Sequence, residues 1–184
     1  MNLEQLITEV KAKVGLSQQC FYNQFAERMY ELCRRYVKSP EDAEERMLDG
    51  FAKFFATIDS FTYMGDASLY TWVKKIMVNE CMMHLRKKEL ILIEPEEEAL
   101  NIPLEKDMLD GLSVNHILKA IAQLPDGYRA VFNMYVIEGF EHPEIAQLLK
   151  ITVNTSKTQL WKAKNMLQKI LSDEQSYHDA RSAR

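Results

Sequence analysis

Apolar positions along this 184-residue chain recur at steps of three and four, the spacing that gathers side chains on one face of an α-helix. Phe21, Phe25, Met29, Leu32, Cys33 and Tyr36 form one such series, and Ala43, Met47, Phe51, Phe54, Phe55 and Ile58 form the next. Ser39 and Pro40 predict the start of the second helix, with Ser39 as N-cap and Pro40 in the first turn. A third helix is predicted after Ser68, burying Leu69, Trp72, Val73, Ile76, Met77 and Leu85. Between these two lies FTYMGDAS, residues 61–68, whose Gly65 and Asp66 mark a turn and whose aromatics have no obvious core to join. Upstream, Leu3, Leu6, Ile7 and Val10 share a helical face for which the sequence names no partner.

The second half repeats the pattern. Val114, Ile117, Leu118, Ile121 and Leu124 predict a helix ended by Pro125, and Val131, Phe132, Tyr135 and Val136 another, ended near Gly139. HPEIAQLLKITVNTSKTQLWKAK, residues 142–164, then reads as two helices joined by Lys150 to Thr152, with Pro143 in the first turn of one and Thr152 capping the other. Strand signals are few, and the fold class is all-α: two small helical domains, the second a four-helix domain with a helix-turn-helix.

Composition alters this picture in one respect. With 47% hydrophobic and 27% charged residues the chain is ordinary globular material with room for a sizeable core. No apolar run approaches the roughly 18 residues of a membrane span, and MNLEQLITEVKAK lacks the basic start and apolar block of a signal peptide, so a cytoplasmic protein without membrane insertion is expected. Cys20, Cys33 and Cys81 are odd in number and read as reduced core thiols. The formal net charge of −4 argues against a uniformly basic nucleic-acid binder. Its distribution does not: residues 89–112 carry eight acids against the single base Lys106, a net seven negative charges, together with Pro95, Pro103 and Gly111. This segment reads as an acidic linker, and its removal leaves the remainder mildly basic.

On the last predicted helix Val153, Ser156, Leu160, Ala163, Leu167 and Leu171 fall on one stripe, while Asn154, Thr155, Thr158, Lys162 and Asn165 point the other way. Val153 to Leu171 contains Lys157, Lys162, Lys164 and Lys169 and no acid. A solvated helix gains pairs by mixing signs, so a phosphate backbone is one reading of the missing counter-charge; a pure packing unit is the other.

LPDGYRAVFNMYVIEGFEHPEIAQLLKITVNTSKTQLWKAKNMLQK, starting at Leu124, resembles the promoter-binding C-terminal domain of extracytoplasmic-function sigma factors. DAEERMLDGF, GDASLYTW and KKIMVNECMMHLRKK are similar to successive pieces of that family's N-terminal domain, in the same order. The resemblance implies an N-terminal sigma domain over residues 21–88 and a C-terminal domain over 113–171, joined by the linker 89–112; residues 1–20 remain as an N-terminal helical extension, and the polar residues 172–184 read as a mobile tail. The resemblance further implies core RNA polymerase, promoter DNA and an anti-sigma factor as partners, with promoter-specific transcription initiation as the function.

Site residues follow from the same resemblance. Core polymerase would dock on Asp42, Glu45, Leu48, Asp49 and Phe51, although Arg46 stands where the family is usually apolar and Leu48 where it usually has glutamine. The minus-ten element would be held by Phe61, Tyr63, Asp66, Ser68, Trp72, Lys75, Asn79, Arg86 and Lys87, with a flipped base captured in the 61–68 loop. Lys74 adds positive charge there, and Trp72 serves either as a stacking platform or as core. Asn154, Thr155, Lys157, Thr158, Gln159 and Lys162 would meet the minus-thirty-five element, Gln159 pairing with adenine and the lysines holding phosphates. Lys150 occupies a turn position where the family commonly has glycine. The linker would suit basic channels of the polymerase, or simply stay extended and soluble.

Other classes fit less of the chain. Cys81 and His84 lie one helical turn apart, but no second pair stands at metal-ligand spacing, and no nucleophile motif or phosphate loop is present. No cofactor, metal or catalytic residue is therefore expected. A helix-turn-helix regulator that never joins polymerase would leave DAEERMLDGF and FTYMGDAS without roles, and a helical adaptor that binds only protein is a third possibility.

Overall fold

The computed structural model describes residues 2–87 and 114–182, which fall in two compact units. The acidic segment 89–112 lies outside the described residues. Every regular element described is helical.

The first unit contains α1 (Leu3–Lys11), α2 (Gly15–Tyr36), α3 (Pro40–Thr57), a 3₁₀ turn (Ile58–Ser60) and α4 (Asp66–Lys87). Asn2 Oδ1 caps α1 by accepting from the Gln5 amide at 2.8 Å. Ser39 Oγ caps α3 by accepting from the Asp42 amide at 3.0 Å, with Pro40 in the first turn as the sequence predicts. Helices α2, α3 and α4 pack against one another, and their core is aromatic. Phe21 stacks on Phe54 with ring centroids 4.3 Å apart and on Phe25 at 4.5 Å, and Phe51 meets Phe21 edge-on at 6.4 Å. Each such ring contributes about 1.5–3 kcal/mol by leaving water. Gly50 has no side chain because α4 passes over it: a Cβ there would lie 2.2 Å from Met77 Sδ. The buried Glu80 of α4 pairs with Lys53 of α3 at 3.2 Å. Cys33 and Cys81 are buried in this core, whereas Cys20, expected with them, is exposed because it faces outward one residue before Phe21. The Cys33 contact, then burial, push the Cys81 thiol well above its usual pKa. His84 Nε2 lies 3.5 Å from Asp42 Oδ2.

The second unit contains α5 (Val114–Gln123), α6 (Asp126–Phe132), a π-helical turn (Asn133–Ile137), α7 (His142–Leu149) and α8 (Val153–Ser182). Helix α8 packs on α5, α6 and α7. Arg129, 2% exposed, donates to the Leu124 carbonyl at 2.9 Å and to Asp126, which fixes the entry to α6. The π turn alters the predicted register. Its wide turn, with the Glu138 amide on the Asn133 carbonyl at 2.9 Å, buries Asn133 and Met134, leaves Tyr135 half-buried and turns Val136 outward. Leu118, expected in the core, is 41% exposed. Helix α8 continues through Ser182, across residues that the sequence pattern assigns to a mobile tail. Among the described residues no helix is long and apolar enough to cross a membrane.

Candidate nucleic-acid interface

The helix-turn-helix is built from its ends inward. Glu141 and Glu144 form a reciprocal capping box at the start of α7, the Glu141 amide donating to Glu144 Oε2 at 2.9 Å. Lys150 ends α7 in the left-handed region, φ 56°, and the Ile151 amide returns to the Ala146 carbonyl at 3.0 Å. Thr152 Oγ1 accepts from the Thr155 amide at 3.0 Å and so starts α8. His142 ties the two helices: its ring stacks on Tyr135 at 4.5 Å, and Nδ1 lies 2.9 Å from Ser156 Oγ.

With α6 and α7 both packed on it, α8 buries a wider arc than one stripe, displaced toward Thr155 and Gln159. Thr155, Ser156, Thr158 and Gln159 are all 6% exposed or less, whereas Val153, expected in the core, is 37% exposed. Gln159 lies over Gly127, where a Cβ would meet both amide atoms at 3.5 Å. Its predicted pairing with adenine is therefore incompatible with this conformation, and Thr155 and Thr158 are likewise inward, not outward. Asn154 and Lys157 are exposed and Lys162 is half-buried. The open arc also carries Trp161 and Lys164, both half-buried, so Asn154, Lys157, Trp161 and Lys164 succeed one another at steps of three and four. That spacing was visible in the sequence; which arc stays open was not.

In the first unit the 61–68 loop is braced from within. Tyr63 Oη donates to Asp66 Oδ1, which pushes the phenol pKa up to about 12. Ser68 Oγ accepts from the Met64 amide at 3.1 Å and donates to the Gly65 carbonyl at 2.7 Å, so this hydroxyl holds the loop and is not a free pocket edge. Gly65 takes φ +103°, which permits the reversal into α4. Phe61 is 8% exposed and stacks on Trp72 at 4.7 Å, and Trp72 also meets Phe54 at 5.3 Å. These two rings close the edge of the aromatic core, so Phe61 is not the open pocket wall that was expected. The outward groups are the half-buried Tyr63, the exposed Asp66 and Met64, the last 80% exposed and absent from the predicted set. Along α4, Lys75 and Lys87 are exposed, while Lys74, Asn79 and Arg86 are half-buried.

The acidic face of α3 presents Glu45, Leu48 and Asp49, exposed, and Asp42, half-buried. Phe51 is 3% exposed within the ring cluster, so it supports this face from beneath and does not lie on it. Arg46 reaches Glu45 and, at 3.1 Å, Asp49, which neutralises part of the face. Beside it, between α2 and α3, a groove of ≈ 370 Å³ is lined by Glu27, Tyr30, Pro40, Glu41, Glu44 and Met47. Its own backbone amide, then the Ser39 hydroxyl, hold the Glu41 carboxyl below its usual pKa.

Both units match known families. Residues 21–90 match the model of Sigma-70 region 2, and residues 115–167 match that of Sigma-70, region 4. The ECF RNA polymerase sigma factor SigW of Bacillus subtilis is 28% identical over 162 residues, covering 81% of this chain and 86% of its own. The chain belongs to the extracytoplasmic-function sigma factors. The ECF RNA polymerase sigma-E factor of Haemophilus influenzae is 24% identical over 79% of this sigma factor and 82% of its own length. The solved structure of CnrH in complex with the cytosolic domain of CnrY shares its fold, with a TM-score of 0.51 at 15% identity over 91% of this chain and 96% of CnrH. As an alternative sigma factor this protein binds core RNA polymerase and promoter DNA and directs transcription initiation.

Proposed function

We propose that this sigma factor opens its promoters with the 61–68 loop, the Tyr63–Asp66 pair and Met64 receiving a base of the non-template strand. Extruding a base costs a few kcal/mol, which a protonated phenol, a carboxylate and an exposed thioether can offset by stacking and edge hydrogen bonds. The observation that carries this reading is the self-braced loop: its polar groups are fixed before any DNA arrives. Lys75, Asn79, Arg86 and Lys87 then lie along α4 to follow the strand, and Trp72 supports the loop through Phe61. Asn154, Lys157 and Lys162, joined by Trp161 and Lys164, meet the upstream duplex in the major groove. Asp42, Glu45, Leu48 and Asp49 dock on core polymerase.

The polymerase carries the chemistry, so the chain holds no catalytic residue of its own and acts in the cytoplasm. An anti-sigma factor that covers the α3 face belongs to the same reading, by analogy with CnrH bound to the cytosolic domain of CnrY.

Run-off transcription by core polymerase of the source organism, on a panel of promoter fragments, tests the proposal. Promoter-specific transcripts appear only with this protein, and Tyr63→Ala or Asp66→Ala lowers them roughly tenfold or more, the weight of about one stacked or hydrogen-bonded base. Undiminished transcription with both variants removes the loop from promoter opening.

A further inference from the structure

Helix α1 had no partner in the sequence and has no part in the roles assigned so far. Its apolar face, Leu6, Ile7 and Val10, is buried against α2 and the 3₁₀ turn. Two polar contacts pin it there. Glu9 Oε2 accepts from Ser17 Oγ at 2.5 Å, at the start of α2, and Lys11 Nζ donates to the Phe61 carbonyl at 2.6 Å.

The second contact falls at a strategic peptide. Phe61 closes the 3₁₀ turn with its amide on the Ile58 carbonyl at 3.0 Å, stacks its ring on Trp72, and begins the 61–68 loop. Its carbonyl follows the last helical turn and has no intrahelical donor, so it needs one from elsewhere. The Lys11 ammonium supplies a charged donor in a half-buried setting, which is stronger than a neutral one and fixes the plane of the peptide from which residues 62–66 depart. Ser68 fixes the opposite end of the loop. With both ends held, Tyr63 and Met64 are presented without an ordering cost at the moment of capture.

We infer that Lys11 is a positioning residue for the strand-capturing loop, which makes α1 part of the promoter-opening apparatus; this rests on the reading of residues 61–68 proposed above. Two full-length variants test it. Lys11→Met keeps the aliphatic stem and removes the donor, and Lys11→Arg keeps a donor. In hydrogen exchange of the free protein, Lys11→Met raises the exchange of the two hydrogen-bonded amides of this segment, Phe61 and Met64, roughly tenfold, the equilibrium weight of one charge-assisted hydrogen bond, with α2 and α4 unchanged and Lys11→Arg near wild type. On a promoter fragment that the wild-type protein transcribes, Lys11→Met lowers permanganate-detected opening by a similar factor and leaves core polymerase binding intact. The same fragment with a pre-opened minus-ten bubble restores the variant, which a general folding defect would not allow.

Unchanged loop exchange overturns the inference, as does an equal loss on duplex and bubble. If Tyr63→Ala abolishes opening while Lys11→Met does not, Lys11 has no positioning role. If neither affects opening although Lys11→Met loosens the loop, it is the loop's function that has failed, and the inference drawn from it falls for that reason.

Discussion

Lys150 and His142 are single positions at which the fold constrains chemistry more than the residue type suggests. Lys150 ends α7 at φ 56°, ψ 45°, a conformation that places a Cβ against its own backbone. Lys150→Gly relieves that contact and is expected to stabilise the second unit by about 0.5–1 kcal/mol, read as a higher midpoint in urea unfolding. The sequence exposed this position as a departure from glycine, and the structure shows the positive φ that makes it matter. His142 is different, because nothing in HPEIAQLL marked it. Burial, then the nearby Lys157, lower its pKa from the ordinary 6.5. The folded state thus takes up the proton less readily than the unfolded chain. The contribution of this group is complete above about pH 6.5 and is lost as the pH falls below it. His142→Gln, which keeps a partner for Ser156 without titrating, is expected to lose less stability than wild type between about pH 6.5 and 5, followed by denaturant unfolding at each pH.

At the scale of the element, periodicity located helices well and faces less well. Ser39 and Thr152 mark helix starts through local hydrogen bonds, and Pro40 and Pro143 through a fixed φ and the lack of an N–H, effects that any chain with those residues carries, and all appear where predicted. Which arc is buried depends instead on how many neighbours a helix has. Helix α8 is flanked by α6 and α7, so Gln159 and Thr155 go inward although they are polar. The π turn after α6 shifts Val136 outward and leaves Tyr135 only half-buried through one wider turn, which no 3.6-residue period can anticipate. Gly50 makes the same point in the first unit: it is a weak helix former inside α3, explained only by Met77 on the facing helix. Gly50→Val overfills that contact and is expected to cost about 2 kcal/mol, seen as a lower thermal midpoint with core polymerase binding weakened only as the fold is.

Over the whole molecule, charge segregation reconciles a net −4 with DNA binding. Acids gather in the linker and on α3, where Arg46 offsets part of them, and bases on α4 and on the open arc of α8, so on the proposed reading polymerase and DNA each meet mainly one sign at short range, where screening is weak. On that reading such a local patch engages only a few phosphates. Lys157→Ala is accordingly expected to lower the slope of log K against log salt by about one for upstream duplex binding, with little change in sequence preference, measured by fluorescence anisotropy across a salt series. A slope unchanged by this variant would place Lys157 off the phosphate backbone.

The sequence by itself determined the helical class, the two domains, most caps and the family, because these depend on apolar spacing, local hydrogen bonding and motif order, all of which are written along the chain. It also marked FTYMGDAS as a stretch without a packing role for most of its length. Tertiary structure alone decided which side chains of that loop and of α8 face outward. Phe61, Phe51 and Gln159 were drawn inward by Trp72, by the aromatic cluster and by the bare surface of Gly127. It alone also brought Lys11 to Phe61, fifty residues away, because such contacts arise from helix packing and leave no local signal.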